Sequence, residues 1–155
     1  MTRWETVFHL QPTNRTILFG ILLCGFLLRV GVVLSLNPPA ESDDKEYEEL
    51  ARNLVEGKGY TIDGMPTAYR TPGYPLLIAG VYALLGPSDL AVRMLQILLD
   101  LGSCFLLFLL GRKLSSDNVG YIAAGIMAVF PSQILYTCEF MTETSFTFLL
   151  LLTIW

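Results

Sequence analysis

The chain has 155 residues, 53% of them in the apolar and aromatic set and only 15% charged, with a mean hydropathy of +0.54. A soluble domain carries about 25% charge, so this composition belongs to the membrane class and excludes disordered and collagen-like chains. The net charge of −4 and the lack of any basic stripe argue against a nucleic-acid partner, and the three cysteines at 24, 104 and 138 share no spacing that a disulfide scaffold would need.

Residues 16–36 form an apolar run broken only by Arg29, long enough to cross a hydrocarbon core of about 30 Å. Arg3 and Arg15 precede it and no small-residue cleavage site follows, which reads as an uncleaved span rather than a signal peptide. Further apolar runs cover about 91–111, 118–134 and 142–155. Backbone polar groups in such segments must be satisfied internally, so all four are expected to be helices. The expected fold is therefore an all-α polytopic membrane protein, with 1–155 as a single membrane domain. Its last run is still apolar at Trp155, and the chain is expected to be part of a longer polytopic protein.

Arg3 and Arg15 before the first run, and Arg112 and Lys113 between the second and third, place those segments on the cytoplasmic side. Residues 37–90 then form an extracytoplasmic loop with nine acidic and four basic residues. Within it, Tyr47, Leu50, Ala51 and Leu54 share one face at helical spacing, with acids on the other. Asp43 could cap this helix with Glu46 as its reciprocal partner, and Gly57-Lys58-Gly59 ends it. A turn-rich connector over 61–66 leads to Tyr69-Arg70-Thr71-Pro72-Gly73-Tyr74-Pro75 and a second helix over about 75–85, too short to span. Ser88 or Asp89 is placed to cap the next span.

The adjacent carboxylates Asp43 and Asp44 lie just beyond the first span, where an anionic oxygen could bind a divalent cation or act as a general base. Their plainer reading is one cap and one solvated acid. Glu139 and Glu143 sit at the mouth of the fourth run and share a face if its helix begins that early. Glu143 is the deepest acid of that run, and either enters the membrane as a functional group or stays at headgroup level against the helix dipole. Arg29 and Asp100 each need a partner within the membrane, and pairing with one another is one solution. Arg70 offers a rigid fork to an anion such as phosphate. Tyr60, Tyr69 and Tyr74 around it read as interface anchors or as the lining of a sugar site. His9 is the only histidine and lies on the N-terminal tail, so a zinc site has no support, and no Gly-rich phosphate loop is present.

Taken together, Leu27-Leu28-Arg29, Asp43-Asp44-Lys45-Glu46-Tyr47, Leu50-Ala51-Arg52-Asn53-Leu54 with Gly57-Lys58-Gly59-Tyr60, and Thr67-Ala68-Tyr69-Arg70-Thr71-Pro72-Gly73-Tyr74-Pro75 resemble the N-terminal region of the family 39 type glycosyltransferases. These include dolichyl-phosphate-mannose protein mannosyltransferases and bacterial aminoarabinose transferases acting on lipid A. Ala91-Val92-Arg93-Met94-Leu95-Gln96, Gly111-Arg112-Lys113-Leu114 and Thr142-Glu143-Thr144-Ser145-Phe146 continue the likeness.

The resemblance implies a GT-C type fold of about a dozen spans, of which this chain is the N-terminal portion, in the cytoplasmic membrane or the endoplasmic reticulum membrane. Its implied reaction moves a sugar, with inversion, from a polyprenyl- or dolichyl-phosphate donor to a protein, lipid A or other envelope glycan. By the resemblance, Asp44 or Asp43 takes the acidic position near the reaction centre. The spacing from Asp44 to Tyr47 matches the family motif best. Glu143 takes the second acidic position, and Arg70 contacts the lipid-linked phosphate or orders the loop. Tyr47, Tyr69, Tyr74 and Glu139 complete the candidate substrate-binding set. A divalent cation on Asp43, Asp44 and Glu143 is compatible with the superfamily without being required. The expected partners are the lipid-linked donor, its acceptor and membrane lipids. A transporter would place its ligands at broken helices near the midplane, whereas the informative residues here cluster in one loop. A non-catalytic membrane subunit stays open.

Overall fold

The computed structural model describes residues 12–36 and 42–155; Arg3 and His9 lie outside the described residues. The elements run α1 (Pro12–Leu36), α2 (Ser42–Val55), the short strands β1 (Thr61–Ile62) and β2 (Met65–Pro66), α3 (Gly73–Leu85), α4 (Asp89–Leu114), α5 (Asp117–Val129), α6 (Pro131–Tyr136) and α7 (Thr142–Ile154). At 1.5 Å per residue, α1 and α4 are about 37 and 39 Å long. Among the described residues these are the two helices long and apolar enough to cross a membrane. Helices α5 and α7 have 13 residues each, about 20 Å, less than the hydrocarbon thickness.

The run expected to be helical over 118–134 stops at Val129. Phe130 is extended, with φ −69° and ψ 118°, because the ring of Pro131 disfavours helical backbone in the residue before it. Pro131 then opens the short α6 at a position where its missing N–H costs nothing. Likewise α7 starts at Thr142, so Glu139 lies in the preceding turn and does not share a helical face with Glu143.

Helices α4 and α5 form an antiparallel hairpin. Ser116 caps α5 by accepting from the Val119 N–H, and Arg112 pairs with Asp117 at 2.8 Å across the turn. Glycines let the two backbones touch: a Cβ on Gly120 would lie 2.5 Å from the Phe108 carbonyl oxygen, and one on Gly111 would lie 2.8 Å from the Gly120 Cα. Backbone cannot move aside as a side chain can, so Gly120→Ala is expected to destabilise the protein by about 1–3 kcal/mol through overpacking. Gly125→Ala, with open space around its Cβ, serves as the control. Thermal unfolding in detergent compares the two, and equal melting temperatures would contradict this close crossing.

Leu18, Gly25, Arg29 and Val33 form the buried stripe of α1, while Phe19, Leu23, Leu27 and Leu34 point outward. In α4 the buried face is partly polar, with Arg93, Gln96, Asp100 and Ser103 at spacings of three and four. Arg29 forms a buried ion pair with Asp100. Its Nη1 also donates to the carbonyls of Ala128 at 2.7 Å and Gly25 at 3.1 Å, and its Nη2 to that of Met127 at 3.2 Å. The break at Phe130 leaves the last carbonyls of α5 without helical partners. The guanidinium of Arg29 supplies donors to two of them and complements the negative end of the helix dipole.

At the end of the bundle where α1 stops and α4 starts, α2 packs on α3 through Tyr47, Ala51, Tyr74, Ile78, Ala79 and Tyr82. Helix α2 ends in a left-handed Gly57, φ 74°, with the Lys58 N–H donating to the Asn53 carbonyl at 2.9 Å, a Schellman closure. The connector over 61–66 closes as an antiparallel hairpin whose turn residues Asp63 and Gly64 have φ 50° and 74°. Asn53 and Glu49 pin it to α2, through the Thr61 carbonyl at 2.9 Å and the Asp63 N–H at 2.8 Å. The expected cap of α4 is Ser88, which accepts from the Ala91 N–H.

Candidate functional site

The fold brings the candidate acids to one end of the bundle. Ser42 opens α2, which places Asp43 inside its first turn rather than ahead of it; the Asp43 side chain lies outside the described residues. Asp44, one position on, is 4% exposed and accepts a hydrogen bond on Oδ1 from the Phe140 N–H at 3.0 Å. That bond joins the first turn of α2 to the turn before α7, across 96 residues of sequence. Glu143 follows in the first turn of α7, half-buried, with Oε2 accepting from the Thr142 hydroxyl at 3.3 Å. The dipole of α7 favours a carboxylate there.

Glu46, expected to reach back towards Asp43, accepts from Arg70 Nε at 2.7 Å instead. The guanidinium carbon of Arg70 sits 5.1 Å from the Tyr47 ring centre and 5.0 Å from that of Tyr69. Two aromatic faces and a carboxylate thus hold this side chain in place, while the Tyr60 hydroxyl donates to the Arg70 carbonyl at 3.0 Å. These contacts tie Arg70 to α2 and to its own loop. Tyr69 is the exposed member of the group and Tyr47 the buried one.

Tyr74 meets Tyr47 edge to face, with centroids 5.1 Å apart and planes at 89°. It is buried, and its hydroxyl donates to Gln96 Oε1. The Gln96 amide nitrogen faces the turn, donating to the carbonyls of Tyr136 at 3.2 Å, Thr137 at 3.3 Å and Glu139 at 2.7 Å. Asp44, the turn, Gln96, Tyr74 and Tyr47 therefore close a ring of contacts that begins and ends on α2. Glu139 enters this ring through its backbone carbonyl.

Burial raises the Tyr74 phenol pKa well above its usual 10, and the nearby carboxylates of Asp44 and Glu143 and the phenol of Tyr47 add to the shift. Tyr82 is raised by burial and then by Glu48. Both rings hold their protons more tightly folded than unfolded. Their contribution to stability is thus fully present below pH 10, the ordinary phenol value, and is lost as pH rises above it. In an alkaline titration the tyrosinate absorbance of these two rings should appear together with the loss of helical circular dichroism. Full ionisation of all seven tyrosines while the helices persist would contradict this.

Among the described residues, no three His, Cys, Asp or Glu side chains come together as a metal site requires. Asp44 directs Oδ1 at a backbone N–H. Asp43, the third acid expected at such a site, has its side chain outside the described residues.

Gln96 is the site-facing residue of α4 to which sequence reasoning gave no role, and Arg93 is buried one turn before it. Their spacing with Asp100 and Ser103 is the signal: polar groups at three and four along a long apolar helix mark the side turned inward.

Buried charge between helices and an acidic cluster at one bundle end define an all-α protein of membrane type. A family model described as dolichyl-phosphate-mannose-protein mannosyltransferase matches residues 69–155. This is more than half of the chain, and the chain belongs to that family. The matched stretch contains Arg70, Tyr74, Gln96, Glu139 and Glu143 and starts after Asp44. No curated protein and no solved structure matches the chain.

Proposed function

We propose that the chain is the acid-bearing portion of a glycosyltransferase that moves a sugar from a polyprenyl- or dolichyl-phosphate donor to a hydroxyl acceptor on the extracytoplasmic side. The observation that carries this reading, beside the family membership, is a buried carboxylate, Asp44, oriented by the Phe140 N–H at the bundle end that also holds Glu143. In the proposed reaction Asp44 accepts the proton of the acceptor hydroxyl as its oxygen attacks the anomeric carbon. The bond from that carbon to the lipid phosphate breaks, the phosphate leaves with the electron pair, and one displacement inverts the centre.

A groove of about 700 Å³ between α3 and α4 supports the lipid side of this reading. Leu77, Val81, Leu84, Met94, Leu95 and Leu98 line it, an apolar wall suited to a prenyl chain. Asp43 and Glu143 are the secondary acids of the proposed site. Arg70 orders the loop, and a donor phosphate would compete with Glu46 for its guanidinium. Tyr69, exposed beside it, is the ring best placed to stack on a sugar.

The test is a transfer assay on the full-length protein in native membranes, with polyprenyl-phosphate-linked radiolabelled mannose and then aminoarabinose. Label should move from the lipid fraction to protein or glycolipid. Label that stays on the lipid with both donors would sink the transferase reading and favour a non-catalytic membrane subunit.

A further inference from the structure

Gln96 is wholly buried and its amide is fully engaged. Both of its nitrogen protons serve three carbonyls of the turn before α7, and its oxygen receives the Tyr74 hydroxyl. Three elements therefore converge on one side chain: α3 through Tyr74, α4 through Gln96 itself, and the turn over 136–139. The next N–H along, that of Phe140, is the one that orients Asp44. Thr144 adds a weaker tie, its hydroxyl lying 3.4 Å from the Tyr136 carbonyl.

Backbone carbonyls in a turn have no helical ladder to hold them, and a buried amide that meets several at once fixes the turn's register rather than merely its position. We propose that Gln96 is a positioning residue: its amide latches the turn over 136–139 in the register that presents the Phe140 N–H to Asp44. The latch itself stands on geometry alone, whereas its effect on catalysis rests on the transferase reading given above.

Cys138 reports on the latch independently of any activity. It lies between two of the latched carbonyls, is 2% exposed, and burial raises its thiol pKa, so it reacts slowly while the turn is closed. Gln96→Met keeps the side-chain length and removes both donor and acceptor. Tyr74→Phe keeps the ring in its packing and removes only the hydroxyl that holds the amide oxygen, so it guards against a misfolded first variant.

In the full-length protein in detergent, maleimide labelling of Cys138, located by peptide mass spectrometry, is expected to rise about tenfold in Gln96→Met and by less in Tyr74→Phe. In the transfer assay kcat, normalised to the folded fraction read by circular dichroism, should fall in the same order with the donor KM unchanged. The normalisation is needed because unfolding alone would expose Cys138 and lower the active fraction together. Labelling that stays at the parent rate in both variants overturns the latch. Raised labelling with unchanged kcat overturns the positioning role. A parent protein that transfers no sugar, with labelling still raised in the two variants, would sink the transferase reading and uphold the latch.

Discussion

Asp44→Asn is expected to lower sugar transfer roughly 10²–10⁴-fold while leaving the melting temperature close to that of the parent. The asparagine oxygen can still accept from the Phe140 N–H, so the bond at 3.0 Å survives. An amide cannot take up the acceptor's proton. Asp44→Ala removes both functions and leaves a buried N–H without its partner, which costs about 1–3 kcal/mol. The Asn and Ala variants together thus separate chemistry from docking: similar activities with different melting temperatures are the expected pattern. Asp43→Asn and Glu143→Gln, assayed beside them, should show smaller losses. An Asp44→Asn protein with near-parental transfer and a dead Asp43→Asn protein would move the base one residue back along α2.

The second large effect concerns stability. Arg29→Met should destabilise the protein by about 3–5 kcal/mol, since it strands a buried carboxylate. Asp100 is wholly buried against Arg29, and the Ala128 carbonyl loses its guanidinium donor at the same time, while that of Met127 keeps only the Phe130 N–H at 3.3 Å. Arg29→Lys should fall between, because one ammonium cannot reproduce a planar fork spread over a carboxylate and three carbonyls. In Arg29→Met with Asp100→Leu, part of the loss should return, as apolar replacement of a buried pair is often close to neutral. A residual of about 1–3 kcal/mol is expected from the α5 carbonyls. Thermal unfolding in detergent reads all three, and full recovery in the double variant would show that the carbonyl contacts contribute nothing.

Helix α2, its glycine terminator and the Ser88 cap were legible because each is a local pattern of a few residues. Pairing of Arg29 with Asp100 was legible as one option, from two charges at comparable depth on neighbouring helices. The break at Phe130 was legible only as a turn from Pro131 to Met141 that overlapped the apolar run over 118–134, because one proline changes backbone preference without changing hydropathy. Arg70 read as an anion site because a guanidinium beside a proline turn shows no local acid. Its partner Glu46 lies 24 residues back and meets it only after α2 and α3 pack. Gln96 escaped notice because it carries no charge, although its amide meets three backbone carbonyls of the turn. The turn over 137–141 displaced Glu139 from the helical face expected for it, since only the start of α7 fixes that register.

The Arg29 clamp also sets an order for biogenesis. Asp100 and the end of α5 are synthesised after α1, and the Ala128 carbonyl lies 99 residues downstream of Arg29. At about 5–20 residues per second, that is a wait of roughly 5–20 s. Until then α1, long and apolar enough to cross a membrane, carries a guanidinium without its full set of acceptors. Leu36, the last residue of α1, is seven positions on, about 10 Å along the helix, within reach of a snorkelling arginine. A nascent first helix in a bilayer would therefore sit shallow and settle to its final depth only when the later helices arrive.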